Sequence, residues 1–114
     1  MMMRVAIPVC EGVLSMHFGH CEKFALVDVD QDLKAIVGTT AVDSPPHQPG
    51  LLPGWLAERG VNLVIAGGMG GRAQQLFSEA GVKVIVGAPS VEPESVVMQY
   101  LAGSLVTGAN VCDH

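Results

Sequence analysis

The chain has 114 residues, 49% of them hydrophobic and 15% charged, with a formal charge of −5 and a mean hydropathy of +0.42. A chain of this size removes roughly two-thirds of its unfolded surface from water, so a single domain over 1–114 is expected and extensive disorder is excluded by the apolar composition. Six Lys and Arg are too few for a phosphate-backbone partner, no apolar run reaches the roughly 20 residues a bilayer requires, and Glu11 interrupts the start before a secretory core forms, so the expectation is a cytoplasmic protein with no nucleic acid and no membrane.

In chain order, Arg4 to Val9 reads as a buried strand ended by Pro8 and the turn-prone Glu11-Gly12. Phe24 to Asp30 reads as a second strand. The polar triplet Asp30-Gln31-Asp32 then turns the chain into a third, Leu33 to Ala41. The segment DSPPHQPGLLPG that follows is dense in Pro and Gly and reads as a connector of restricted φ.

Helix and strand alternate from there. Leu51, Leu52, Trp55 and Leu56 share a helical face that stops at Gly60, and Asn62 to Ala66 is apolar throughout, as a central parallel strand requires. A second helix is expected over Gly70 to Ala80, with Gly81 closing it, then a strand from Val82 to Val86. The last helix opens at Pro93 beside Glu92 and Glu94, buries Val96, Val97, Tyr100 and Leu101, and stops at Gly103. The order βββαβαβα implies an α/β domain with a mixed five-stranded sheet flanked by helices, the order of ribonuclease H-like folds.

Chemistry gathers at His17-Phe18-Gly19-His20-Cys21. Two imidazoles and a thiol within five residues suit zinc, copper, iron and iron–sulfur species rather than hard cations. The three cysteines form neither an even set nor a CxxC pair, which leaves thiols free as ligands. A closed tetrahedral site needs a fourth ligand, and Cys10, His47, Cys112 and His114 are the candidates. Cys112 and His114 would share one side of an extended tail. The plainer reading of the loop is that Phe18 plugs the core, Gly19 supplies a special φ and the histidines bond to backbone.

A second candidate is Gly68-Met69-Gly70-Gly71-Arg72, at a strand's carboxyl end and opening a helix. Its backbone N–H groups and the helix dipole favour an anion by about 0.3 to 1 kcal/mol per charge, and Arg72 adds a planar donor fork. The spacing matches neither phosphate-binding glycine motif, and a tight turn needing glycine for packing would produce the same pattern. No enzyme constellation is visible, so no catalytic residue is expected. The carboxylates Glu11, Glu22, Asp28, Asp30 and Asp32 are scattered without partners on later strands, and Cys21 has no identifiable oxyanion-hole element.

Four segments together, MRVAIPV, HFGHCEKF, VIAGGMGGRAQQLFSEAGVKVIVGA and NVCDH, resemble the dinitrogenase iron-molybdenum cofactor biosynthesis family over essentially the whole chain. The resemblance implies a ribonuclease H-like sheet without nuclease activity and a non-enzymatic role in binding, storing or delivering a metal-sulfur cluster or its precursor. Within the family, a stand-alone domain with HFGHC is similar to the orange-protein branch of sulfate-reducing bacteria, which implies a copper-molybdenum sulfide cargo. The expected ligands to metal are His17, His20, Cys21, Cys112 and His114, with Gly68 to Arg72 offering anion donors as the opposite wall of a shared pocket. The expected partners are a metallocluster or thiometallate and a protein that receives it, the chain itself being a monomer or weak dimer. The competing reading is a regulatory or scaffold domain without metal.

Overall fold

A computed structural model of the chain describes residues 2–16, 18, 21–46 and 50–108. They form one α/β domain: β1 (Met2–Cys10), β2 (Val13–Leu14), β3 (Lys23–Asp30), β4 (Ala35–Asp43), α1 (Leu51–Glu58), β5 (Leu63–Ile65), α2 (Gly71–Glu79), β6 (Lys83–Ile85) and α3 (Pro93–Ala102). The sheet order is β4-β3-β1-β5-β6, with β2 pairing β1 off this path. β3 and β4 are antiparallel to their neighbours, whereas β5 and β6 are parallel.

The expected five-stranded sheet is corrected to six by the two-residue β2, whose Val9↔Leu14 and Cys10↔Val13 pairs follow the turn at Glu11 and Gly12. Two residues carry too little alternation to be read as a strand beforehand. Pro8 does not end β1 either: it lies inside the strand opposite Phe24. β5 pairs only with Val5 and Ala6, so a missing N–H at residue 8 breaks no parallel ladder bond. The third strand starts two residues later than expected because Lys34 takes φ 53 in the turn, and a bulge at Asp28/Val29 leaves Val37 unpaired.

The period-two alternation of β1 and β3 divides the core in two. Val5, Ile7, Val27 and Val29 pack with Leu63, Ile65 and the α3 residues Val96 and Val97. Ala6, Phe24 and Leu26 pack on the other face with Leu56 of α1, Phe77 of α2, Val64 and Phe18. A polar lock fixes α1 at one end of the sheet. Arg4 donates to both carboxylate oxygens of Asp28 at 2.7 and 3.2 Å and to the Arg59 carbonyl at 2.7 Å, while the Arg59 guanidinium lies 3.7 Å from the Trp55 ring centre. No described helix is long and apolar enough to cross a membrane.

Candidate functional site

The carboxyl ends of β5 and β6 gather three backbone segments. After β2, the chain passes so close to the end of β5 that a Cβ on Gly67 would lie 2.9 Å from Met16 Cα; the missing side chain is what allows the approach. Phe18 N–H donates to the Gly68 carbonyl at 3.1 Å. Its ring sits 5.6 Å from Phe24 and 5.5 Å from Phe77, spacings typical of tilted and edge-on aromatic pairs. Phe18 therefore plugs the core, as the plainer reading of the loop has it, and ties the loop to the glycine turn. The third segment is the tail. Gly108 N–H donates to Gly87 O at 2.7 Å, and Gly87 N–H donates to Gly67 O at 2.9 Å. A Cβ on Gly87, whose φ is +81, would overlap the Gly108 carbonyl.

Beside this junction lies a cavity of about 440 Å³, within the size range of small-ligand sites. Phe18, Pro45, Pro46, Leu51, Pro53 and Leu76 are among its apolar lining, and Cys21, Glu22, Ser44 and Arg72 supply the polar groups. β3 and the connector hold the Cys21 side: Ser44 N–H donates to Glu22 O at 3.0 Å, and the Cys21 thiol lies 3.9 Å from Ser44 Oγ. Burial pushes the Cys21 thiol up from the ordinary value, Ser44 and a backbone donor pull it back, and the nearby Cys10 raises it again. Cys10 is raised by desolvation first, then by the charges of Glu22 and Glu11.

The opposite side is the first turn of α2, contributing Arg72 and Ala73 with Leu76 behind them. Gly70 caps this helix in an extended conformation without a side-chain acceptor. Arg72 is exposed and, among the described residues, makes no ion pair or hydrogen bond. Gly70 and Gly71 are exposed beside it. Gly68 is buried, its carbonyl used by Phe18. Met69, one of the expected anion donors, has its side chain in the core: it is 1% exposed and belongs to the cluster that holds Phe77 and Phe18, and its carbonyl accepts from Gln74 Nε2 at 2.9 Å.

Of the expected ligands, Cys21 lines the cavity, whereas His17, His20, Cys112 and His114 lie outside the described residues, as does His47. Among the described residues no three of His, Cys, Asp and Glu are grouped to hold a metal ion. Asp28, one of the scattered carboxylates, is taken up by Arg4. The reading of the residues missed the connector: Ser44, Pro45, Pro46, Leu51 and Pro53 were assigned to a link and the start of a helix, yet they wall the cavity. Four prolines around Gly50, at positions 45, 46, 49 and 53, were the available signal, since a rigid connector is suited to form a fixed wall.

The family model described as dinitrogenase iron-molybdenum cofactor matches residues 1–103. An uncharacterized protein of Methanocaldococcus jannaschii is 29% identical over 107 residues, 91% of this chain and 90% of that protein. The crystal structure of PH0822 is similar with a TM-score of 0.84 at 29% identity, over 92% of this chain and 94% of that one. The apo form of the orange protein from Desulfovibrio gigas is similar with a TM-score of 0.71 at 25% identity, over 96% of each chain.

Proposed function

Because the chain belongs to the dinitrogenase iron-molybdenum cofactor family, we propose that it binds a metal–sulfur species as cargo in the cavity between Cys21 and Arg72 and delivers it to a partner protein. The observation that carries this reading is the chemistry of that cavity. Among the described residues, one thiol and one guanidinium without an ion pair or hydrogen bond line a largely apolar space. A thiolate is a soft-metal ligand; a guanidinium answers the negative charge of a sulfide-rich anion; apolar walls exclude water and tolerate weakly hydrated sulfur. With so few protein ligands at hand, the cargo is a preformed anion, a thiometallate or a cluster, rather than a bare ion built into a tetrahedral site. The likeness to the orange protein supports testing copper and molybdenum first.

The tail extends the same reading. Gly108 is held beside Gly87, and Cys112, four residues further along the chain, is proposed as a supplementary ligand. His17 and His20, which neighbour Phe18 in the sequence, are proposed as further ligands. The strand order, with an antiparallel hairpin on one side of β1 and parallel strands on the other, supports a ligand-carrying ribonuclease H-like domain. No turnover is expected, in keeping with the engagement of Asp28 by Arg4, and the proposed location is the cytoplasm.

The test is loading. Anaerobic protein is mixed with tetrathiomolybdate and copper(I), or with iron and sulfide, desalted, and examined by visible absorption and metal analysis. A coloured complex is expected, with retention reduced about tenfold in Arg72→Ala, the effect of losing one charge-assisted contact of about 1.5 kcal/mol. Colourless protein after every mixture would overturn the proposal.

A further inference from the structure

A second feature of the cavity wall points beyond binding. β1 and β3 run in register from Met2↔Asp30 to Val9↔Lys23. At that last pair the Glu22 N–H also donates to the Val9 carbonyl, at 3.0 Å. Two successive residues of one segment thus face a single residue of the other, the pattern of a bulge. Beyond it the next residues to meet are Cys10 and Cys21. They also share a face: Cys10 is four positions after Ala6 and so points to the same side of β1, and Ala6 belongs to the cluster against which Cys21 packs. Facing residues on antiparallel segments have Cβ atoms about 4.5 to 5.5 Å apart, close to the separation a disulfide needs. Both thiols are free and partly exposed.

We propose that Cys10 and Cys21 form a reversible disulfide with a low-molecular-weight disulfide as oxidant, withdrawing the thiol from the cavity. The Cys10 thiolate, on the more open side, attacks one sulfur of the small disulfide. That S–S bond breaks, a mixed disulfide forms at Cys10 and one small thiol leaves with a proton. The Cys21 sulfur then attacks the Cys10 sulfur, releasing the second small thiol and closing the bridge. Two protein S–H bonds are exchanged for two small-molecule S–H bonds, and the small disulfide is reduced by the two electrons the cysteines lose. Excess dithiol reverses the sequence. The bridge would close residues 11–20 into a loop and leave the cavity with Arg72 but without the Cys21 thiol. That last consequence rests on the proposed cargo site; the bridge itself does not.

The experiment uses the full chain under native conditions with oxidised glutathione, followed by acid quench, alkylation and peptide mass mapping. A Cys10–Cys21 bridge with Cys112 still alkylated is the expected product. Cys112→Ser should give the same bridge, dithiothreitol should restore all thiols, and Cys21→Ser should stop at a glutathione adduct on Cys10. The inference is overturned if Cys10 and Cys21 are recovered as separate alkylated or glutathione-bound thiols, if the bridge involves Cys112, or if it forms only after urea is added. None of these outcomes depends on metal, so failure here is distinct from failure of the loading test.

Discussion

The two faces of the sheet are both buried but are built for different tasks. On one, α3 lies across valines, isoleucines and leucines, and its cluster of fully buried side chains contains no aromatic ring. On the other, α1 and α2 cover Phe18, Phe24 and Phe77 with Trp55 alongside, the Phe24 and Trp55 rings being 5.9 Å apart. Aliphatic side chains pack to uniform density without projecting far. Aromatic rings reach further: here the Phe18 ring, seated against Phe24 and Phe77, anchors in the core the loop that leads to Cys21, and the cavity opens on this face. Stability alone is asked of the first face, whereas the second also sets the position of a site.

The largest effects are expected where the second face is emptied. Phe77→Ala should cost about 3–5 kcal/mol in urea unfolding and should also lower metal retention per folded molecule, since Phe18 loses the ring 5.5 Å away. Val96→Ala on the first face removes roughly two methylene equivalents, about 1–2 kcal/mol, with retention per folded molecule unchanged. Equal losses of retention from both variants would break the distinction between the faces.

Gly67→Ala comes next. Its Cβ would press on Met16 Cα at 2.9 Å, so the loop must shift, at a cost of about 1–3 kcal/mol. Lower metal retention with α3 amide resonances unmoved would show that the contact orients the loop. Asp28→Asn should change stability by no more than about 1 kcal/mol, because the Arg4–Asp28 pair is more than a third exposed and solvent-screened, and it should leave loading intact.

The smallest effect is in pH. The Cys21 proton is held more tightly folded than unfolded, chiefly through burial, so the folded chain is favoured below the ordinary thiol range and loses that advantage as pH rises through the raised value. The decline should shrink in Cys21→Ser, where the raised Cys10 thiol still contributes, and alkylation of Cys21 by iodoacetamide at neutral pH should be slower than that of a free thiol.

Where the pattern was long and its period consistent, the fold was legible in the sequence. The helix from Pro93 ends at Gly103, whose φ is 73, and the second helix was placed within a residue at each end. Short-range chemistry was not so readable. β2 exists because the turn at Glu11 and Gly12 folds two residues back on β1, a tertiary effect with no periodic trace. Met69 looked like part of an exposed glycine loop, yet the backbone turns its side chain inward, since glycines on both sides leave direction undetermined. Cys21 and Arg72 were candidates from residue type, and the structure places both on the cavity lining, whereas the part the proline-rich connector plays in that lining depends on how α1 and α2 pack.

The central claim, that cargo sits between Cys21 and Arg72, is tested most directly by mapping amide and side-chain NMR shifts as tetrathiomolybdate with copper(I) is added to the reduced protein. Shifts centred on Cys21, Ser44, Arg72, Ala73 and Leu76, with Lys83 and Tyr100 unmoved, are the expected result. Shifts centred on α3 or the β6 edge, or a coloured complex that leaves Cys21 and Arg72 unperturbed, would contradict it.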